Sequence, residues 1–187
     1  MKRALVGTFP LLFTLAIATT LTGCVPKQAS KEQSISLVTL TAPVEFSFPP
    51  GWEKNPKEHP YDLQCLAKSG EMNSGVFVYR RADIALSSTP ADILQDQIQD
   101  FRSKRANFVE FEPLVTYEDD HKRMSTVTYV GEKDNTRNCY RFTLIEFKAD
   151  ESKFAIVMQV AKPGAWERCK PVLDGIVRTA KPLPEMP

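Results

Sequence analysis

In Lys153-Phe154-Ala155-Ile156-Val157-Met158-Gln159-Val160-Ala161, the residues Phe154, Ile156, Met158 and Val160 fall at every second position. A period of two places all four on one face of a strand, the pattern of a sheet packed against a core. Just upstream, Asp150-Glu151-Ser152 is a turn sequence, and residues 139–148 before it form another strand pattern. The pair reads as an antiparallel hairpin centred between Asp150 and Glu151. Earlier in the chain, Val44, Phe46 and Phe48 alternate with Glu45 and Ser47 until Pro49-Pro50-Gly51 stops the run. Residues 63–68, 75–81, 108–117 and 124–130 complete the strand candidates. Successive strands with short links predict an antiparallel sheet.

Two helices interrupt this series. Thr89-Pro90-Ala91-Asp92 offers an N-cap, a proline at the first helical position and an acid three residues after the cap. Ala91, Leu94, Ile98, Phe101 and Arg105 then share one face, with Asp92, Asp96, Gln99, Asp100 and Ser103 opposite. The second helix covers about residues 165–178, with Trp166, Cys169, Val172, Leu173, Ile176 and Val177 as its apolar stripe. Pro171 lies inside it and is expected to bend it or delay its regular start. The fold class is therefore α+β: an antiparallel β-sheet covered by an amphipathic mid-chain helix and a C-terminal helix. It is expected as a single domain over residues 37–182, with a short tail at 183–187.

The N-terminus carries an address. Lys2 and Arg3 precede an apolar stretch around residues 9–18, which ends in Leu21-Thr22-Gly23-Cys24. A basic start and a short apolar core describe a secretory signal peptide. The ending resembles the bacterial lipobox, in which the cysteine is acylated and becomes the first residue of the mature chain. That resemblance implies a signal peptide at 1–23 and lipidation at Cys24, with the membrane as a partner through the lipid. Each buried methylene contributes about 0.8 kcal/mol, so several acyl chains on one cysteine hold a domain stably at a bilayer. Residues 24–36, rich in Gln, Ser, Lys and Glu, read as a flexible tether. Val25, rather than Asp, follows the cysteine. By analogy this favours the periplasmic leaflet of the outer membrane in a Gram-negative cell. The expected location is thus the cell envelope.

Composition narrows the function. The 187-residue chain holds 24 basic and 23 acidic residues, and nothing in that balance points to nucleic acid. Cleavage after residue 23 would remove two cations and no acid, turning the formal charge from +1 to −1. Two histidines leave little room for a His-rich metal site. No serine elbow, zinc-protease helix, phosphate-cradling glycine loop or Cys-x-x-Cys pair occurs, so no cofactor, metal site or catalytic residue is expected.

Phe46-Ser47-Phe48-Pro49-Pro50-Gly51-Trp52 resembles the opening signature of PsbP-like and DcrB-like domains, and the order of elements over residues 44–180 is similar to theirs. Those families show Ser-Phe after the last helix, where this chain has Thr179-Ala180. The resemblance implies a non-catalytic accessory or binding domain, here for an envelope protein partner. The alternative is a small-ligand or metal carrier that uses a loop with Trp52, His59 and Tyr61 and the acidic turn at 118–121.

Cys65, Cys139 and Cys169 allow three pairings in an oxidising compartment. A hairpin centred between Asp150 and Glu151 sets Cys139 opposite Lys162, close to the closing helix, and so favours a Cys139–Cys169 disulfide. Such a bridge would contribute about 2–4 kcal/mol. Cys65 is then a buried thiol; as a nucleophile it would need His59 or His121 as base. Glu118-Asp119-Asp120-His121 reads as a solvated hairpin turn, because calcium asks for more oxygen ligands at ordered spacing. His59 is expected to be exposed, and Lys122-Arg123 to belong to a solvated surface.

Overall fold

The computed structural model describes residues 33–39 and 41–185. The lipobox with Cys24 and most of the tether lie outside the described residues. Ten strands and two helices follow in the order β1(Ile35–Val38), β2(Val44–Phe48), β3(Trp52–Lys54), β4(Leu63–Ala67), β5(Met72–Arg80), α1(Pro90–Ser103), β6(Ala106–Glu118), β7(Lys122–Lys133), β8(Thr136–Phe147), β9(Lys153–Ala161), α2(Trp166–Arg178) and β10(Lys181–Pro182). An antiparallel seven-stranded sheet runs β3-β4-β5-β9-β8-β7-β6, and a three-stranded sheet runs β1-β2-β10. The architecture is the α+β arrangement expected from the sequence.

Each face of the large sheet has its own core. On one face Leu94, Ile98 and Phe101 of α1 meet Tyr129, Tyr140, Phe142, Leu144, Phe154, Ile156 and Met158. On the other, Trp166, Cys169, Leu173, Ile176 and Val177 of α2 and Phe46 and Phe48 of β2 pack with Val76, Ile145, Ala155 and Val157. The alternation in β9 marked the α1 face only. The intervening Ala155, Val157 and Ala161 are equally buried, because β9 is the central strand and both of its faces are covered.

Local chemistry sets the ends of the elements. Thr89 caps α1 through a full capping box with Asp92, and the exposed face carries the expected acids. Pro163–Ala165 form a 3-10 turn before α2, so the regular helix starts at Trp166 with Pro171 inside it. β7 and β8 extend beyond their sequence bounds to a two-residue hairpin at Asp134-Asn135. Both turn residues have positive φ, 51° and 58°, the conformation that Asp and Asn tolerate best among residues with a side chain.

Several expectations need correction. The β8–β9 hairpin is centred one half-step earlier than expected, with Cys139 opposite Ala161 rather than Lys162. The Asp150 carboxylate accepts from the Ser152 amide at 3.2 Å and from Lys153 Nζ at 3.0 Å, tying the turn to its first acid. Ile35 and Ser36, assigned to the tether, pair with Phe48 and Ser47 in β1–β2. The expected tail is also held: the Leu183 amide donates to the Pro43 carbonyl at 3.0 Å, and Arg80 pairs with Glu185 at 2.8 Å. Among the described residues, no helix is long and apolar enough to cross a membrane.

Candidate functional site

The residues singled out from the sequence do not converge. Trp52 is 6% exposed and packs in the α2-side core, its ring 5.6 Å from that of Phe48. Tyr61 packs on the opposite, α1 side, its ring 4.8 Å from Phe77 and 6.0 Å from His59. Its ring lies over Gly75, where an added Cβ would come within 2.6 Å of it. His59 is half-buried rather than exposed, with Nδ1 unpartnered. The 118–121 segment is the expected hairpin turn between β6 and β7. Its Asp119 carboxylate accepts from the amides of His121 and Lys122 at 2.8 and 2.9 Å. Among the described residues, no group of three His, Cys, Asp or Glu could hold a metal ion.

Cys65, Cys139 and Cys169 are buried free thiols, so the expected Cys139–Cys169 bridge is not formed in this structure. Cys139 lies in mid-sheet between Val130 and Ala161, one position deeper into β9 than the assumed hairpin centre implied. Burial pushes the Cys65 thiol up to about 12 and the Cys139 thiol up to about 11. Burial therefore favours the protonated thiol at both positions, the opposite of the shift that activates a cysteine nucleophile.

A different site emerges on the α2 face. A row of residues in direct register crosses the sheet there: Cys65 of β4, Ser74 of β5, Gln159 of β9, Arg141 of β8, Thr128 of β7 and Glu112 of β6. Residues in register point to the same face, so this row lies beneath α2. Ser74, Gln159 and Thr128 are fully buried and Arg141 is 7% exposed. The helix anchors the row at three points. Gln159 Nε2 donates to the Leu173 carbonyl at 2.9 Å. Arg141 Nη2 pairs with Asp174. Glu112 accepts from Lys170 Nζ at 2.6 Å, Trp166 Nε1 at 3.1 Å and Thr128 Oγ1 at 2.9 Å. Burial alone would raise the Glu112 carboxyl, but these three donors outweigh it and hold the group below the usual range.

The outer end of this row opens into a cleft of about 530 Å³ between β6–β7 and α2. Arg141, Lys170, Arg178, Glu112 and Asp174 supply its charges; Val115, Tyr117, Met124 and Val177 are among its apolar walls. The Arg178 guanidinium lies 4.4 Å from the centre of the Tyr117 ring. Lys122, expected on a solvated surface, is 6% exposed and donates to the carbonyls of Arg178 and Ala180. It thus caps the C-terminus of α2. Burial lowers its ammonium below the usual lysine range.

Beside the cleft, the edge strand β6 exposes Val109, Phe111, Leu114, Val115 and Tyr117 by 42–61%. Three register shifts interrupt its pairing with β7, and Pro113 removes one backbone N–H from the strand. Sequence reasoning placed Val177 in an apolar stripe but assigned none of the cleft residues to a site. The available signals were Gln159 alone among apolar neighbours in β9 and the charged spacing Lys170, Asp174, Arg178 along α2.

No protein-family model matches the chain, and no curated protein does. Solved structures do share its fold. Cyanobacterial PsbP from Synechocystis superimposes with a TM-score of 0.57 at 13% identity, over 81% of this chain and 94% of that one. LpqN of Mycobacterium tuberculosis, described as involved in cell envelope biogenesis, gives 0.57 at 9% identity, over 81% and 91%. The Ran-binding protein Mog1p of Saccharomyces cerevisiae gives 0.54 at 13% identity, over 79% and 94%. The PsbP-like fold implied by the Phe46–Trp52 signature is therefore the fold of this chain.

Proposed function

We propose that this protein is a lipid-anchored cell-envelope lipoprotein whose domain binds a protein partner and catalyses nothing. The observation that carries the reading is β6: five large apolar side chains exposed on one edge strand. Large apolar side chains left in water along one segment are the kind of surface that interaction sites use. The bulges and Pro113 deny a partner a regular strand-to-strand ladder, so docking proceeds through side chains. The lipobox sequence at 21–24 supports anchoring through Cys24, and residues 25–34 would tether the domain. Val25 favours the periplasmic leaflet of the outer membrane in a Gram-negative cell. A fold shared with an envelope-biogenesis protein and a Ran-binding protein agrees with a binding role.

Photo-crosslinking in intact cells tests the partner. A crosslinker at Phe111 or Leu114 should capture one recurrent envelope protein, whereas the same group at Leu86, 108% exposed and remote in sequence, should not. Equal capture from all three positions, or none, would overturn the reading. Cys24→Ala should release the protein from the membrane fraction; retention there would refute the anchor.

A further inference from the structure

We propose that the cleft between β6 and α2 binds a small organic monoanion, a carboxylate carried on an apolar body. The cleft shares Val115 and Tyr117 with the exposed apolar residues of β6, but ligand binding there is read with no partner present.

The row beneath α2 is the first reason. A helix-covered sheet face is ordinarily apolar, yet here a transverse row carries Ser, Gln, Arg and Thr, each at most 7% exposed. Ser74 Oγ, Gln159 Oε1, and Arg141 Nε and Nη1 have no hydrogen-bond partner. Leaving such groups buried and unpaired is costly, and native folds keep few of them. Arg141 concentrates the deficit: Asp174 takes Nη2 alone, while Nε and Nη1 remain unpaired on a guanidinium that lines the cleft.

Charge defines the missing partner. Of the cleft cations, Lys170 is matched by Glu112 and Arg141 by Asp174, which leaves Arg178 against the Tyr117 ring as an excess positive charge. One negative charge would balance the site, and Arg141, which lines the cleft with two N–H-bearing atoms unpaired just beneath its surface, would turn toward it. A dianion such as phosphate would meet Glu112 and Asp174 and the C-terminal half of α2, where the helix dipole is negative. Val115, Tyr117, Met124 and Val177 offer the rest of the ligand an apolar surface. A cleft of about 530 Å³ falls within the range of small-molecule sites.

Octanoate is a suitable probe, with octanol and inorganic phosphate as controls. Methyl NMR of Met124 and Val177 in the folded domain should show saturable shifts with octanoate and none with octanol or phosphate at the same concentration. Arg178→Gln should weaken octanoate about tenfold, the loss of one charge-assisted contact. A double variant, Arg141→Met with Asp174→Leu, removes the buried ion pair. With an otherwise native amide spectrum it should bind no octanoate. Absence of saturation with millimolar octanoate, equal binding of octanol, saturable binding of phosphate, or undiminished binding by the folded double variant would each overturn the proposal.

Discussion

If the row beneath α2 is kept for binding, removing its ion pair should not weaken the fold. Consider Asp174→Leu, Arg141→Met and their combination. Asp174→Leu leaves the Arg141 side chain, 8% exposed, without an acid. Breaking a buried pair from this side costs about 3–5 kcal/mol. Arg141→Met leaves Asp174, whose side chain is 33% exposed and can still be hydrated. It also removes two N–H groups that have no partner. Its cost is therefore smaller, about 1–2 kcal/mol. The double variant carries neither penalty and places Met and Leu against the apolar neighbours of α2. It should equal the parent or exceed it by about 1–4 kcal/mol.

Urea unfolding followed by tryptophan fluorescence reads all four proteins, since Trp52 and Trp166 are 6% and 2% exposed and report from β3 and α2. The thiols must be kept reduced throughout. In thermal melts, Asp174→Leu should fall by roughly 10 °C, at about 2–4 °C per kcal/mol for a domain of this size. Two results would refute the reasoning. One is a double variant as unstable as the sum of the single variants, which would make the ion pair a net source of stability. The other is Arg141→Met costing more than Asp174→Leu, which would contradict the burial asymmetry.

Three further outcomes follow from the same geometry. Gly75→Ala should destabilise by about 1–3 kcal/mol through overpacking against the Tyr61 ring and alter the near-UV circular dichroism; Tyr61→Ala in the same chain should recover part of the loss, and additive losses would contradict it. Cys65 and Cys139 should resist a thiol reagent at pH 8 in the native protein and react at the unfolding rate, because burial pushes their thiols to about 12 and about 11; labelling faster than unfolding would refute this. The Glu112 carboxyl is depressed in the folded state, so its contribution is present above its unfolded value of about 4.3 and is lost as pH falls through the folded value. Glu112→Gln should therefore reduce stability at pH 7 and flatten its decline below about pH 5, and an unchanged acid limb would disprove the assignment.

The sheet was legible where one short segment contains its own information. The alternation in 154–160 named an inward face, and Thr89-Pro90-Ala91-Asp92 carried a complete helix start. What alternation could not show was which strands have both faces covered, because that depends on neighbours distant in sequence. β9 lies between β5 and β8, so Ala155 and Val157 are as buried as Ile156. The hairpin centre failed for a local reason: Asp150 holds the turn to itself, and a half-step error was enough to misplace Cys139.

The cleft was less visible because its residues come from separate parts of the chain. Glu112, Thr128 and Arg141 of the cleft, and Gln159 behind them in the same row, occupy four strands, and each resembles an ordinary polar position in its own strand. Only register aligns them, and only the crossing of α2 buries them. Gln159 is the informative case. It is the one polar residue in 154–161, and it is fully buried with Oε1 unpaired. A fold selected for stability alone would replace it with an apolar residue, since the Leu173 carbonyl it serves lies inside α2, where the helix supplies its own donor four residues on. The neighbouring Arg141 repeats the pattern, with more charge and more unpaired groups. Two adjacent strands bearing the same costly choice at the same level, next to a cleft, fit a common purpose better than two unrelated defects. That purpose is to hold α2 and the cleft-lining Arg141 in a rigid, polar setting before the ligand arrives.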